Sequence, residues 1–221
     1  MSMDDVKQVV KAHWGRRAAG FDLGATHGIL TEAQGAAWRG LLREVLGQGV
    51  KDVLGVGCGT GFLALLAAEM GHRAVGVDLA PEMVALAREK AGRMGVAAEF
   101  LEGDVERLDF AAGRFDVVIE RHVLWTLPAP VEALGDWRRV LRASGEAVLI
   151  EGHWGERAQR DEYEGIKERL PLYGGRPAAE VMAAMRAAGF GEVSVREMME
   201  ASLWGGEAGC ARYMVRGKKP R

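Results

Sequence analysis

Gly57, Gly59 and Gly61 stand at alternate positions in the run Val53-Leu54-Gly55-Val56-Gly57-Cys58-Gly59-Thr60-Gly61, between an apolar stretch and a helical pattern. Glycine accepts positive φ and lets the main chain approach a ligand closely, and the start of the next helix offers unpaired N–H groups. Such a turn is suited to holding a ligand against the backbone. Dinucleotide-binding folds use the same device, but their fingerprint puts the third glycine three residues after the second. Counted from Gly55 and Gly57, that position is Thr60. Two acids follow at successive strand ends. Asp78 suits an acceptor for paired ribose hydroxyls. Asp104 suits an acceptor for an exocyclic adenine amine, with Leu79 and Val105 as apolar neighbours of the ring. Taken singly, either acid also reads as a helix or turn cap; together, beside the glycine turn, they read as a binding site. Cys58 is expected to turn its backbone N–H toward the ligand rather than to offer a reactive thiol.

A second group follows the fourth and fifth apolar runs: Glu120-Arg121-His122 and Glu151-Gly152-His153. Histidine titrates near neutral pH, so His122 is the candidate general base and His153 the second candidate. The alternative, that His122 shapes a pocket or bonds the backbone, stays open. Trp125 and Trp154 follow the same two strand ends. Trp14, Phe21 and Tyr173 join them if the flanking segments fold over the site, giving a substrate pocket suited to an apolar, aromatic or cationic molecule. His27 reads as a loop residue. The three histidines share no ligand spacing, and no metal site is expected.

These residues need a scaffold. Apolar runs rich in β-branched residues alternate with helical periodicity, which predicts an α/β fold with a parallel sheet. Strands are expected at 52–56, 73–77, 97–101, 115–119 and 147–150, with helices at 62–70, 81–93 and 131–142. Gly71 is placed to end the first of these helices and Pro81 to begin the second. After 152–175, which lacks clear periodicity, come a helix at 177–188 and strands at 193–196 and 212–215. Two amphipathic helices, 6–19 and 32–46, precede the sheet. They either cover a sheet face or close over the site as a lid. The chain thus reads as one domain, with N-terminal helices in 1–48 and a core in 49–221 that carries a substrate-covering insertion at about 152–175.

With 48% hydrophobic and 27% charged residues and a net charge of −2, the 221-residue chain lacks the basic footprint of a nucleic-acid binder. Arg216 to Arg221 reads as a solvated basic tail. Two cysteines make no disulfide framework; Cys210 is expected to be buried and inert. No apolar stretch has the length of a membrane span, and the first residues do not read as a signal peptide. The expectation is a cytoplasmic protein, monomer or homodimer, whose partner is a small molecule rather than nucleic acid or membrane.

Val53 to Gly61, the Val75-Gly76-Val77-Asp78-Leu79-Ala80-Pro81-Glu82-Met83 run, Glu102-Gly103-Asp104-Val105, Phe115-Asp116-Val117-Val118 and the stretch around 141–150 together resemble the class I S-adenosylmethionine (SAM)-dependent methyltransferases. The likeness is to bacterial small-molecule members of the ubiquinone-biosynthesis type. It implies a Rossmann-like, seven-stranded, mostly parallel sheet with helices on both faces and an antiparallel last strand. It also implies SAM as cofactor and S-adenosylhomocysteine as product. The cofactor residues it implies are Gly57, Cys58, Gly59, Gly61, Asp78, Leu79, Met83, Gly103, Asp104, Val105, Glu120 and Arg121. One departure stands out: Gly55 occupies a position where the family usually carries an acid, which Asp52 or Glu120 would have to replace. The alternatives are a non-catalytic SAM-binding regulatory domain and a NAD(P)-dependent oxidoreductase. A nucleic-acid methyltransferase is disfavoured, because Glu120-Arg121-His122-Val123 stands where amino-methylating members carry an Asn/Asp-Pro-Pro-aromatic motif.

Overall fold

The computed structural model describes residues 1–24, 26–155, 163 and 165–221. Seven strands, β1 (Asp52–Val56), β2 (Arg73–Asp78), β3 (Ala98–Glu102), β4 (Phe115–Arg121), β5 (Leu141–His153), β6 (Gly191–Glu197) and β7 (Ala211–Lys218), form one sheet in the order β3-β2-β1-β4-β5-β7-β6. β1 to β5 are mutually parallel, and β7 runs antiparallel to both β5 and β6. The chain winds outward from β1 to β3 and then returns to β4 on the other side of β1. That reversal opens a crevice at the C-terminal ends of β1 and β4. The glycine turn leaves β1 there and His122 leaves β4 there.

The helices are α1 (Met3–Arg17), α2 (Glu32–Leu46), α3 (Phe62–Glu69), α4 (Pro81–Met94), α5 (Pro130–Val140), α6 (Ala178–Ala187) and the short α7 (Ala201–Trp204). Trp38, Leu42, Leu65 and Ala87 of α2, α3 and α4 pack on Val53, Val117, Ile119 and Met214 on one face of the sheet. Leu134, Trp137 and Met185 of α5 and α6 pack on Leu54, Val118, Leu149 and Val215 on the other. Neighbouring strand residues thus feed opposite layers, which is why the central strands read as continuous apolar runs rather than alternating ones.

α2 has the bounds its periodicity suggests: Thr31 Oγ1 accepts from the Gln34 N–H at 3.1 Å, and Gly47 ends the helix at φ 66°. α1 starts earlier than its apolar pattern suggests, because Ser2 and Asp5 cap each other reciprocally over 3.1 and 2.7 Å. β5 begins at Leu141, well before 147, and shortens the preceding helix; it passes through Ser144 at φ 62° and pairs irregularly with β4 near Phe115. α7 was not expected. Its Leu203 carbonyl accepts from Trp38 Nε1 at 2.8 Å and Gln34 Nε2 at 3.2 Å.

The two N-terminal helices take different places. α2 covers a sheet face. α1 instead joins Trp125, Ile166 and Leu170 through Val6 and Val10 in a separate apolar cluster beside the crevice. Part of the expected covering stretch, residues 156–162 and 164, lies outside the described residues. Cys210 is half-buried, not buried as expected, because it precedes β7 in a surface turn. Among the described residues, no helix is long and apolar enough to cross a membrane.

Candidate active site

The crevice holds a cavity of about 280 Å³. Its floor is the turn after β1, where Gly57 and Gly59 adopt φ of 55° and 53°. A Cβ on Gly57 would stand 2.4 Å from Val123 Cγ2, so the turn and the β4 end can approach only without a side chain there. Asp78, at the end of β2, braces this floor. Its Oδ2 accepts from the Gly59 N–H at 2.7 Å and its Oδ1 from the Ala80 N–H at 2.9 Å, so it caps the entry to α4 while facing the cavity. Burial raises its pKa. The Cys58 N–H does not face the cavity as expected, because it donates to the Val77 carbonyl at 2.9 Å. Burial also pushes the Cys58 thiol well up, which suits an unreactive residue.

Leu79, Met83, Asp104, Val105, Glu120 and Arg121 all line the cavity. Gly61 and Gly103 do not: the first turns at φ 87° into α3 against Leu65 and Phe100, and the second packs on Val77. Asp52 lies at the opposite end of β1, tied to Arg73 at 2.5 Å and Arg142 at 2.8 Å, so it cannot stand in for an acid at Gly55. Glu120 is committed elsewhere too. Its Oε2 accepts from the Val123 N–H at 2.8 Å, and the fully buried Glu151 lies beside it, its Oε1 accepting from the Leu124 N–H at 2.9 Å. Burial and the neighbouring carboxyl raise the Glu120 pKa well above the usual range, and burial pushes Glu151 up to about 8. The remaining Glu120 Oε1 and Glu151 Oε2 are buried without a donor, a placement that a proton shared between the two carboxyls would satisfy.

Three fastenings hold the N-terminal segment against this floor. Lys7 Nζ bridges Asp104 Oδ2 at 2.6 Å and Glu106 Oε2 at 2.5 Å. Burial works against the Lys7 charge, but the two carboxylates outweigh it and hold its pKa above the usual lysine value. Asp104 Oδ1 meanwhile accepts from the Glu106 N–H at 2.9 Å, the turn-capping role that its sequence position also allowed. Asp22 takes a hydrogen bond from Thr60 Oγ1 at 2.6 Å and pairs with Lys90 at 2.8 Å. Arg121 Nη2 donates to the His27 carbonyl at 2.6 Å, with its guanidinium carbon 3.7 Å from the Phe62 ring centroid.

Trp14, Phe21, Trp125 and Trp154 all reach the cavity wall, whereas Tyr173 stands behind Trp125 with ring centroids 5.9 Å apart. His122 lines the cavity in the left-handed region, at φ 62°. Its ring stacks on Trp204 at 5.7 Å and meets Trp154 edge-on at 5.0 Å. Arg212 Nη1 lies 3.3 Å from His122 Nε2. A guanidinium only donates, so Nε2 accepts and the ring proton sits on Nδ1. Burial, then Arg212 and Arg121, hold the His122 pKa well below the usual histidine value. His153 is exposed at the end of β5 and does not line the cavity. The alternation of the strand points it away.

Sequence reasoning missed Lys7, Glu106, His27 and Arg212, all cavity-lining. Glu106 was legible as the neighbour of Asp104. Arg212 had no local signal, because only the antiparallel pairing of β7 with β5 brings it to the crevice.

Residues 54–149 match the family model described as a methyltransferase domain. That match runs from β1 into β5 and takes in less than half of the chain. The chain is 40% identical over 103 residues to a demethylmenaquinone methyltransferase of Thermus thermophilus, covering 46% of this chain and 47% of that one. It is 38% identical over 100 residues to a ubiquinone biosynthesis O-methyltransferase of Azorhizobium caulinodans, covering 45% and 37%. The matches thus span about half or less of these relatives' length. In three dimensions the chain superposes on the cyclase SpnF with a TM-score of 0.73 over 96% of this chain and 95% of that one, at 20% identity, a likeness of fold alone. SAM is the cofactor of the methyltransferase domain, and the residues present fit it: a two-glycine cradle closed by Val123, with an acid at the end of β2.

Proposed function

We propose that the chain transfers the methyl group of SAM to a small planar molecule bound under α1, releasing S-adenosylhomocysteine. What carries this reading is that one and the same cavity is lined by Gly57, Gly59 and Asp78 and by Trp14, Trp125 and Trp154. Gly57, Gly59 and Asp78 would hold the cofactor, with Leu79, Met83 and Val105 as its apolar walls and Asp104 as a polar contact. Bound SAM supplies a methyl group already activated on a sulfonium.

The protein's task is then alignment and the exclusion of water. The N-terminal segment, fastened by Lys7 of α1 and by Asp22 beyond it, covers the site. The Trp125 Nε1 donates to the His122 carbonyl at 2.8 Å, which fixes both rings as a wall. His122 is kept neutral with its proton on Nδ1, so it suits orienting the acceptor better than removing a proton from it. The composition and the two free cysteines suit a cytoplasmic site of action. Incubating the protein with methyl-labelled SAM and fractionated small-molecule, protein and nucleic-acid pools tests the reading. Label is expected in the small-molecule pool together with S-adenosylhomocysteine; label confined to protein or nucleic acid would contradict it.

A further inference from the structure

Arg212 lies near the start of β7, on the far side of β4 and β5 from the strand that carries Asp78. It is only 8% exposed, yet it lines the cavity. Its guanidinium lies against two indoles, 5.3 Å from the Trp154 centroid and 4.9 Å from that of Trp204. Nη1 donates to His122, and the buried Nε has no partner. Among the described residues, no carboxylate forms an ion pair with it. In the β5–β7 register Glu151 faces Tyr213 while Arg212 faces Gly152. Strand alternation therefore sends Glu151, and Glu120 with it, to the opposite face of the sheet. Those two carboxyls are held toward their protonated forms by burial and supply little countercharge.

Gly152 is what lets the guanidinium lie across β5 toward the cavity: a Cβ there would stand 2.9 Å from Arg212 Nη1 and 3.2 Å from its Cδ. A buried guanidinium without a carboxylate is costly to keep, and its planar donor fork matches an anionic oxygen group. The aromatic neighbours fix its plane but leave its charge unanswered.

We infer that Arg212 determines acceptor specificity by binding an anionic oxygen group, a carboxylate or an ionised hydroxyl, on a planar acceptor held by Trp125 and Trp154. The inference rests on the methyl-transfer reading above. The same chemistry would suit the cofactor's own carboxylate, so the test separates the two sources. Calorimetry first measures S-adenosylhomocysteine binding to the wild type, Arg212→Gln and Arg212→Lys. The saturated proteins are then titrated with 2-naphthoate and 2-naphthamide, which differ in charge but little in shape.

The wild type is expected to prefer naphthoate by about tenfold or more, the scale of one charge-assisted hydrogen bond. Arg212→Gln is expected to abolish the preference and Arg212→Lys to retain part of it, with S-adenosylhomocysteine affinity within about twofold throughout. Equal binding of the two probes, binding of neither, or a preference that survives in Arg212→Gln would overturn the inference. So would a parallel loss of S-adenosylhomocysteine affinity in Arg212→Gln, which would assign the guanidinium to the cofactor. Failure of the wild type to bind S-adenosylhomocysteine overturns the methyl-transfer reading and this inference with it, whereas binding without anion preference overturns this inference alone.

Discussion

Replacing Glu151 by Gln should remove most of a pH dependence of stability that the wild type carries. Burial holds the Glu151 carboxyl at about 8, against a usual value of 4.5. Between those values the native state keeps a proton that the unfolded chain has released, so stability is fully present below the lower value and is lost as pH rises toward the upper. Each pH unit in that window costs the native state up to about 1.4 kcal/mol. The proton is shared with Glu120, and the total expected is on the order of 3 kcal/mol. At roughly 2–4 °C per kcal/mol for a domain of this size, the wild-type Tm should fall by about 6–12 °C from pH 5 to pH 8. Gln keeps the acceptor for the Leu124 N–H and offers an N–H to Glu120, so Glu151→Gln should lose about half or more of that slope and be the more stable protein at pH 8. Calorimetric melts of both proteins across this range read the effect. A wild-type Tm that is flat or rises with pH, or an unchanged slope in Glu151→Gln, would refute the shared-proton pair.

Two further substitutions probe the cavity floor and its cover. Gly57→Ala places a Cβ against Val123 on a backbone at φ 55°; it should destabilise the protein by roughly 1–3 kcal/mol and weaken S-adenosylhomocysteine binding, with Val123→Ala restoring part of both in the double variant. Lys7→Met leaves Asp104 and Glu106 without their cation, so amide exchange across 3–23 should quicken, while the core helix α5 keeps its protection. Unchanged exchange in the first segment would mean that Lys7 does not fasten α1.

The sheet was largely legible because buried parallel strands and their helices leave strong periodic signals, and Gly57, Gly59 and Asp78 were legible because close backbone approach and strand-end acids restrict residue type. What escaped was set by distant pairing. Arg212 reaches the crevice only through its register with Gly152, and Lys7 through packing of α1 across a hundred residues of intervening chain. The fate of the two histidines turned on strand alternation: His122 leaves β4 at a positive φ and turns into the cavity, while His153 continues β5 and turns out. Cys58 shows the converse limit. Its place in the glycine turn suggested a ligand-facing N–H, but that N–H donates to the Val77 carbonyl of β2.

The most direct test of the account is parallel calorimetric titration of the wild type and Asp78→Ala with SAM, S-adenosylhomocysteine and NADH. Micromolar binding of the first two is expected, with none of NADH and a loss of about tenfold or more in Asp78→Ala, where both a ligand contact and the brace on Gly59 are removed. Binding of NADH, or no binding of SAM and S-adenosylhomocysteine by the folded wild type, would contradict it.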